Sequence, residues 1–362
     1  MMSGVKWPRL VWLCVLWLAC AGCEDDFASV TSITDMRILG ARIETVEDPE
    51  RSTPRPGETA EVQLALARPR TRSKRELRAM FIHCTYPERF TGIPICQELL
   101  DALAEDVDLS LGRSVGEGEL IIRCEEDRMQ SQAGVGLTCL SDDLTLTVPV
   151  AADFTGRAML YRGVVCEGGT PFFDPFKREL FGCDGGRKTV LTHGSIPVSV
   201  GEEEDNRNPM VGDVGVTVNG RDWPALEPEA EGELDDIATD CMGLAEELGL
   251  KDLDPFEHRI GLEVADDARE QTVEGPETFE LSIYATAGEL EPRFTLFDED
   301  AQVEEGILAG DVRWLNEGVD VLNEAGEVVD FYITVRDQRG GFALVRRSAC
   351  IRAGKVRTGS AI

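Results

Sequence analysis

The chain is predicted to be mainly β: two antiparallel β-sandwich domains with short helical insertions, stabilised by disulfides. Three observations lead there. Apolar and polar residues alternate with a period of two in several separate stretches, the pattern of strands with one buried and one wet face. Turn-forming clusters, "RPGE", "CDGGRK", "NEAGE" and "DQRGG", punctuate those stretches. The chain also carries 11 cysteines, mostly spread through its body, as in exported proteins that staple their sheets together.

The first element is not part of either domain. "MMSGVKWPR" carries Lys6 and Arg9 as its only charges, and "LVWLCVLWLACAG" runs apolar from Leu10 to Gly22. At a rise of about 1.5 Å per residue that run spans roughly 20 Å, short of the ~30 Å hydrocarbon core of a bilayer. A positive start, a short apolar middle and small residues at its end describe an export signal. The four residues "CAGC" resemble the lipobox of bacterial lipoproteins, with Cys20 standing where leucine is usual. The resemblance implies cleavage after Gly22 and acylation of Cys23. It leaves 1–22 as signal and 23–32, opening with Glu24, Asp25 and Asp26, as a flexible tether. A single acyl chain anchors only marginally, whereas the two or three implied here hold a protein to its membrane. Plain secretion and an uncleaved anchor are the alternatives.

Cysteine parity agrees with that cut. It removes Cys14 and Cys20 and assigns Cys23 to lipid, leaving Cys84, Cys96, Cys124, Cys139, Cys166, Cys183, Cys241 and Cys350. An even set in an exported chain reads as up to four disulfides, whose connectivity the sequence leaves open. Sequential neighbours are the first choice: Cys84–Cys96, Cys124–Cys139, Cys166–Cys183, with Cys241–Cys350 closing the C-terminal part. The main rival joins Cys84 to Cys166. No C-x-x-C pair follows the signal, and His83, His193 and His258 are scattered, so no zinc site is expected.

The strands follow in order. "ETAEVQLAL" sets Val62, Leu64 and Leu66 on one face; "LTLTVPV" does so with Leu144, Leu146, Val148 and Val150. "TFELSIYAT" alternates Phe279, Leu281, Ile283 and Ala285 with Glu280, Ser282, Tyr284 and Thr286. "VDFYITVRD" alternates Val329, Phe331, Ile333 and Val335 with polar neighbours. Two segments break the pattern. "PICQELLDALAED" spaces Ile95, Leu99 and Leu103 four apart, and "ELDDIATDCMGLAEELGL" steps Leu234, Ile237, Cys241, Leu244 and Leu248 by three and four, each a helical stripe. "GEEEDNRNPMVGD" has neither period and reads as an interdomain connection. The expected division is therefore 33–201 for the first domain, 202–232 for a linker with a small hairpin at Asn219-Gly220, and 233–362 for a helix plus the second domain.

Several of these stretches resemble known folds. "RPGETAEVQLAL" looks like the entry strand of bacterial immunoglobulin-like domains. "FELSIYATAGEL" followed by "VVDFYITVRDQRGGFALVRRS" is similar to the central strand and final hairpin of PKD-like sandwiches, through Tyr284, Gly288, Val335, Asp337 and Gly340. The central strand lacks the tryptophan common in Ig-like cores. The layout of signal, cysteines, "NRNP" linker and terminal Ig-like unit resembles uncharacterised envelope lipoproteins of Gram-negative bacteria. That implies two Ig-like sandwiches, an outer-membrane anchor facing either side, and no assigned reaction.

A formal net charge of −32 opposes binding to nucleic acid. Two basic stretches stand against it: "ARPRTRSKRELR" and "RRSACIRAGKVRTG". Both read first as solvated loops or partners of the protein's own acids, and second as docking patches for phosphate-rich lipid or an acidic polymer. No G-x-S-x-G, H-E-x-x-H, G-x-G-x-x-G or Walker motif is present, so no catalytic residue is assigned. "DEDAQVEE" begins like an EF-hand loop at Asp298 and Asp300, but Val303 and Ala309 stand where glycine and glutamate belong. Weak calcium binding there is the only cofactor expectation. The leading function is a lipid-anchored, non-enzymatic module that binds or spaces an envelope protein or polysaccharide. The alternatives are an envelope hydrolase or its accessory subunit, and a calcium-dependent adhesion module.

Overall fold

The computed structural model describes residues 31–69, 75–86, 96, 113–116, 119–124, 129–132, 135–141, 144–174, 180–201, 205–210, 214–225, 241, 250–253, 257–273, 275–315 and 326–351. Apart from one 3-10 turn at Asp266–Ala268, the regular structure of these residues is all strand. None of them belongs to a helix long and apolar enough to cross a membrane. The signal, Cys23 and the tether up to residue 30 lie outside the described residues. So do both expected helices, save Cys96, Cys241 and Leu250, all buried.

In chain order the first strands are β1 (Arg37–Thr45), β2 (Thr59–Ala67), β3 (Leu77–Thr85), β4 (Arg113–Gly116), β5 (Glu119–Arg123) and β6 (Met129–Gln132). They continue with β7 (Val135–Ser141), β8 (Thr145–Pro149), β9 (Ala158–Glu167), β10 (Thr170–Phe173), β11 (Phe181–Asp184) and β12 (Lys188–Pro197). Then come β13 (Val214–Val218), β14 (Arg221–Asp222), β15 (Lys251–Leu253), β16 (His258–Ala265), β17 (Gln271–Thr272), β18 (Gly275–Pro276) and β19 (Phe279–Ala285). The last are β20 (Glu289–Glu291), β21 (Phe294–Phe297), β22 (Val303–Glu304), β23 (Ile307–Leu315), β24 (Glu327–Asp337) and β25 (Phe342–Ile351).

These strands build a two-stranded hairpin, β17-β18, and five larger sheets, numbered here by the cores they share. Sheet one is ordered β11-β10-β5-β4, sheet two β12-β9-β3-β7-β6 and sheet three β1-β2-β8. Sheet four is β15-β25-β24-β19-β21 and sheet five β14-β13-β16-β23-β20, with β22 added to β23. The pairings are antiparallel except β15 with β25.

Side-chain alternation explains the layering. On β3, Met80, Ile82 and Cys84 enter a core shared with sheet one, through Ile122, Phe173 and Phe181. The intervening Ala79 and Phe81 enter a second core against Val62, Leu146 and Val148 of sheet three. β9 divides likewise, with Leu160, Val164 and Cys166 on one side and Met159, Tyr161 and Val165 on the other. Sheet two is therefore covered on both faces, and the N-terminal part has three layers where a two-sheet sandwich was expected. The near-continuous apolar runs of β3 and β9 are what a doubly covered strand requires.

Sheets four and five close on a third core. Phe279, Leu281, Ile283, Phe331, Ile333 and Val335, the inward set of the alternation, meet Val216, Leu262, Val312 and Trp314. The polar face of sheet four, expected to be wet, is covered too. Tyr332 and Phe342 pack with Ile33, Leu39, Ala65 and Ala67, flanked by Tyr284 and Leu344, so sheet four lies against sheet three. The polar groups buried there are bonded: Ser348 Oγ donates to Asp330 Oδ1 at 2.5 Å and Thr334 Oγ1 to the Ser282 carbonyl at 3.4 Å. Burial without such partners costs several kcal/mol per group, on the order of 2–7.

The stretch expected as linker is part of the fold. β13 pairs with β16 over Val214–Val218, because its Val214, Val216 and Val218 alternate into the third core. The expected hairpin forms between β13 and β14. Asn219 (φ 52°) and Gly220 (φ 71°) make its turn in the left-handed region that Asn-Gly tolerates.

Four disulfides hold these layers: Cys84–Cys96, Cys124–Cys139, Cys166–Cys183 and Cys241–Cys350. These are the sequential-neighbour pairs. Cys139 on β7 and Cys166 on β9 reach across the first core to Cys124 and Cys183, so two bridges bind sheet one to sheet two.

Candidate functional site

The segment "DNRNP" crosses between the two parts of the chain and locks them. Asn206, 1% exposed, donates from Nδ2 to Ser52 Oγ at 2.8 Å and to Asp337 Oδ2 at 2.9 Å. Asn208 donates to the Ile43 carbonyl at 2.6 Å and accepts from the Phe342 amide at 3.0 Å. Each asparagine thus holds one group before residue 60 and one after residue 330. An amide side chain, both donor and acceptor, suits a buried position between two backbones.

Asp337 ends β24 and organises the turn to β25. Its Oδ1 accepts from the amides of Arg339 at 2.8 Å and Gly341 at 2.6 Å. A Cβ on Gly341 would stand 1.9 Å from Asp337 Oδ2 and 2.8 Å from the Arg207 carbonyl, so only glycine fits. The turn presents Arg339, whose Nη1 donates to Glu270 Oε2 at 3.0 Å and lies 3.8 Å from Glu277 Oε1.

Beside this turn is a cavity of about 270 Å³. Its walls come from three places: Glu50 before β2, the segment from Arg207 to Met210, and the segment from Asp267 to Glu270 with Glu277 and Phe279. The β17–β18 hairpin folds 270 back on 277, with the Glu277 amide donating to the Glu270 carbonyl at 2.9 Å. The local arginines are occupied. Arg207 Nη1 donates to Glu50 Oε2 at 3.0 Å. Arg269 is buried and spends its donors on Asp266 and on the carbonyls of Asp298 at 3.0 Å and Glu277 at 3.5 Å.

Glu277 is the unusual group. It is 5% exposed, and its Oε1 accepts no hydrogen bond. Burial first, then the carboxylates of Asp337 and Glu270, push its carboxyl up to about 7, against the pull of Arg339 and the Glu270 backbone. A carboxyl that titrates near neutrality in a cleft is the kind of group found at binding sites.

A second buried titratable group lies in the fold. His83 is 0% exposed, neither ring nitrogen has a hydrogen-bond partner, and desolvation lowers it from 6.5 to about 4. It alternates with Cys84, whose sulfur is oxidised on the opposite face, so the two form no thiol–imidazole pair. As pH falls below 6.5 the unfolded chain takes up this proton first, and stability drops until about pH 4. The expected loss is about 3 kcal/mol. Glu277 acts with the opposite sign, since the folded chain takes up its proton first between 7 and 4.5. The two contributions oppose each other over this range. Chemical denaturation of His83→Leu across this range should uncover the Glu277 gain, with stability rising as pH falls. A profile identical to the parent would refute the assignment to His83.

The other residues singled out from the sequence take structural places. Asp298 accepts the Asp300 amide at 3.1 Å as a turn cap, and no group of three metal-binding side chains converges among the described residues. His258 stacks on Trp314 at 5.8 Å and meets Asn219 Nδ2 at 2.9 Å; His193 is exposed on β12. Of the basic stretches, Arg78 pairs with Glu76 at 2.9 Å, Arg346 with Asp330 at 3.4 Å, and Arg347 donates to the Trp223 carbonyl at 2.6 Å. Arg70, Arg72, Lys74, Arg352, Lys355 and Arg357 lie outside the described residues. Sequence reading missed Glu277, one acid among 68 with no motif around it. It did single out "NRNP", whose buried asparagines were the available signal.

No family model matches the chain, and no curated protein does. Among solved structures, a red sea bream transglutaminase matches with 6% identity over 88% of this chain and 32% of its own, at a TM-score of 0.23. The chain thus spans about a third of that protein's length, and a likeness this weak carries no argument.

Proposed function

We propose that the chain is an exported lipoprotein, tethered to the outer membrane through acyl chains on Cys23, and that it acts there without catalysis as a β-scaffold binding or spacing an envelope protein or polysaccharide. The observation that carries this reading is the pairing of all eight cysteines beyond Cys23 into four disulfides. Thiols oxidised throughout a chain belong to an oxidising compartment, and the N-terminal segment is of the kind that delivers a chain to one. The scaffold role draws on the junction between sheets three and four. Its apolar cluster and the two bridging asparagines favour a fixed relation between the parts of the chain.

Intact mass and peptide mapping of the native protein test the proposal. The membrane fraction should yield a chain beginning at acylated Cys23 with no free thiol, and Cys23→Ala should lose the acyl mass. Recovery of a product that keeps Met1, or one with reduced cysteines in its body, would overturn it.

A further inference from the structure

We propose that the cleft beside Glu277 binds a primary alkylammonium group, with the charged head at the Glu277 carboxylate and the methylene stem along Pro209, Met210 and Ala268. Glu277 is buried and lines the cavity. Its Oε1 makes no hydrogen bond and meets Arg339 Nη1 only at 3.8 Å, while two further carboxylates, Asp337 and Glu270, add negative charge beside it. The arginines around it are committed to Glu50, Asp266, Glu270 and backbone carbonyls. A ligand that completes the site therefore brings donors and positive charge. An anion would meet Glu50, Asp267, Glu270 and Glu277, while the described arginines of the lining, Arg207 and Arg269, are already paired with Glu50 and Asp266.

Size and wall chemistry narrow the class. About 270 Å³ falls below the range of roughly 300–1,000 Å³ for drug-sized ligands, and suits one extended aliphatic chain. A divalent ion would need about six oxygen ligands, whereas no three metal-binding side chains converge among the described residues. An ammonium head is satisfied by one carboxylate and a few carbonyls, and its stem lies on apolar surface as lysine side chains do. The charged groups around Glu277 are Asp337 and Arg339 from the β24–β25 turn, Glu270 just before β17, and Arg269, which donates to the Glu277 carbonyl, with Glu50, Arg207 and Asp267 also lining the cleft. The site does not rest on the membrane anchor, so either proposal can fail alone.

The same chemistry is carried by a free diamine and by the lysine side chain of a partner, and the test separates them. The full chain in non-ionic detergent is titrated calorimetrically with 1,4-diaminobutane, with Nα-acetyl-lysine methylamide, and with 1-butanol as the uncharged control. Both amines should bind, the alcohol should not, and the tighter amine identifies the source. Because the head needs the ionised carboxylate, affinity should fall about tenfold from pH 8 to pH 6. Glu277→Gln should lose at least about tenfold in affinity while keeping its thermal transition, which shows that the fold survives. Absence of binding by either amine up to about 10 mM, or equal affinity in Glu277→Gln, would overturn the proposal. So would calcium binding that depends on Glu277 in a chain that ignores the amines.

Discussion

Replacing Cys124, Cys139, Cys166 and Cys183 together by alanine is expected to release sheet one and cost about 6 kcal/mol, near 3 for each loop of roughly 15 residues. The two bridges close 15 and 17 residues of sequence, and both cross the core between sheets one and two. Beyond the bridges, that core is closed by Met80, Ile82, Leu160 and Val164 against Ile122, Phe173, Leu180 and Phe181. The strands of sheet one are only four or five residues long, and cysteines make up much of the buried cluster beside Phe173, Leu180 and Phe181. A layer that small buries too little apolar surface to offset its own ordering entropy. Urea unfolding gives the loss. Hydrogen exchange locates it: amides of β5, β10 and β11 should lose protection while those of β16, β19 and β24 keep theirs. Uniform protection with a loss under about 1 kcal/mol would show that packing alone docks the sheet.

Trp314→Ala is expected to cost about 3–5 kcal/mol. Trp314 is fully buried on β23 and sits edge-on to Phe331 at 5.3 Å, with His258 stacked on it at 5.8 Å. Its Nε1 donates to the Ala287 carbonyl at 2.9 Å, so truncation leaves a cavity between sheets four and five and an unpaired acceptor. Trp314→Phe should recover most of the packing and lose chiefly the hydrogen bond, about 1 kcal/mol. Chemical denaturation of the two variants separates those parts. A Trp314→Ala chain within about 1 kcal/mol of the parent would mean the sandwich collapses around the gap. The sequence placed no tryptophan on the central strand of this sandwich. The fold supplies the aromatic centre from β23 instead, with Trp223 also meeting Phe331, at 5.1 Å.

The strands that alternate cleanly were legible residue by residue. Val62, Leu146, Leu281 and Phe331 each point where a period of two sends them, because a strand with one wet face writes its orientation into adjacent residues. What that rule assumes is that the polar set meets water. Ser282, Asp330, Tyr332 and Thr334 are buried all the same, since hydrogen bonds within sheet four and the apolar cluster of Tyr332 and Phe342 with Leu39, Ala65 and Ala67 let a second sheet lie on them. Glu277 was invisible for a related reason. Its neighbours in sequence say nothing of the burial that raises its carboxyl most, nor of the charge of Asp337, some sixty positions on, which raises it further.

By itself, then, the sequence determined the all-β class, the turns and an even set of body cysteines, since these are set by local period and by counting, while the choice among pairings was settled by the fold. Only the tertiary structure decided that five sheets share four cores, that the expected linker contributes β13 and two buried asparagines, and that one buried carboxylate lines a cleft beside two others. Burial is the physical reason. It is a property of what lies opposite a residue, and residues far apart in the chain supply that.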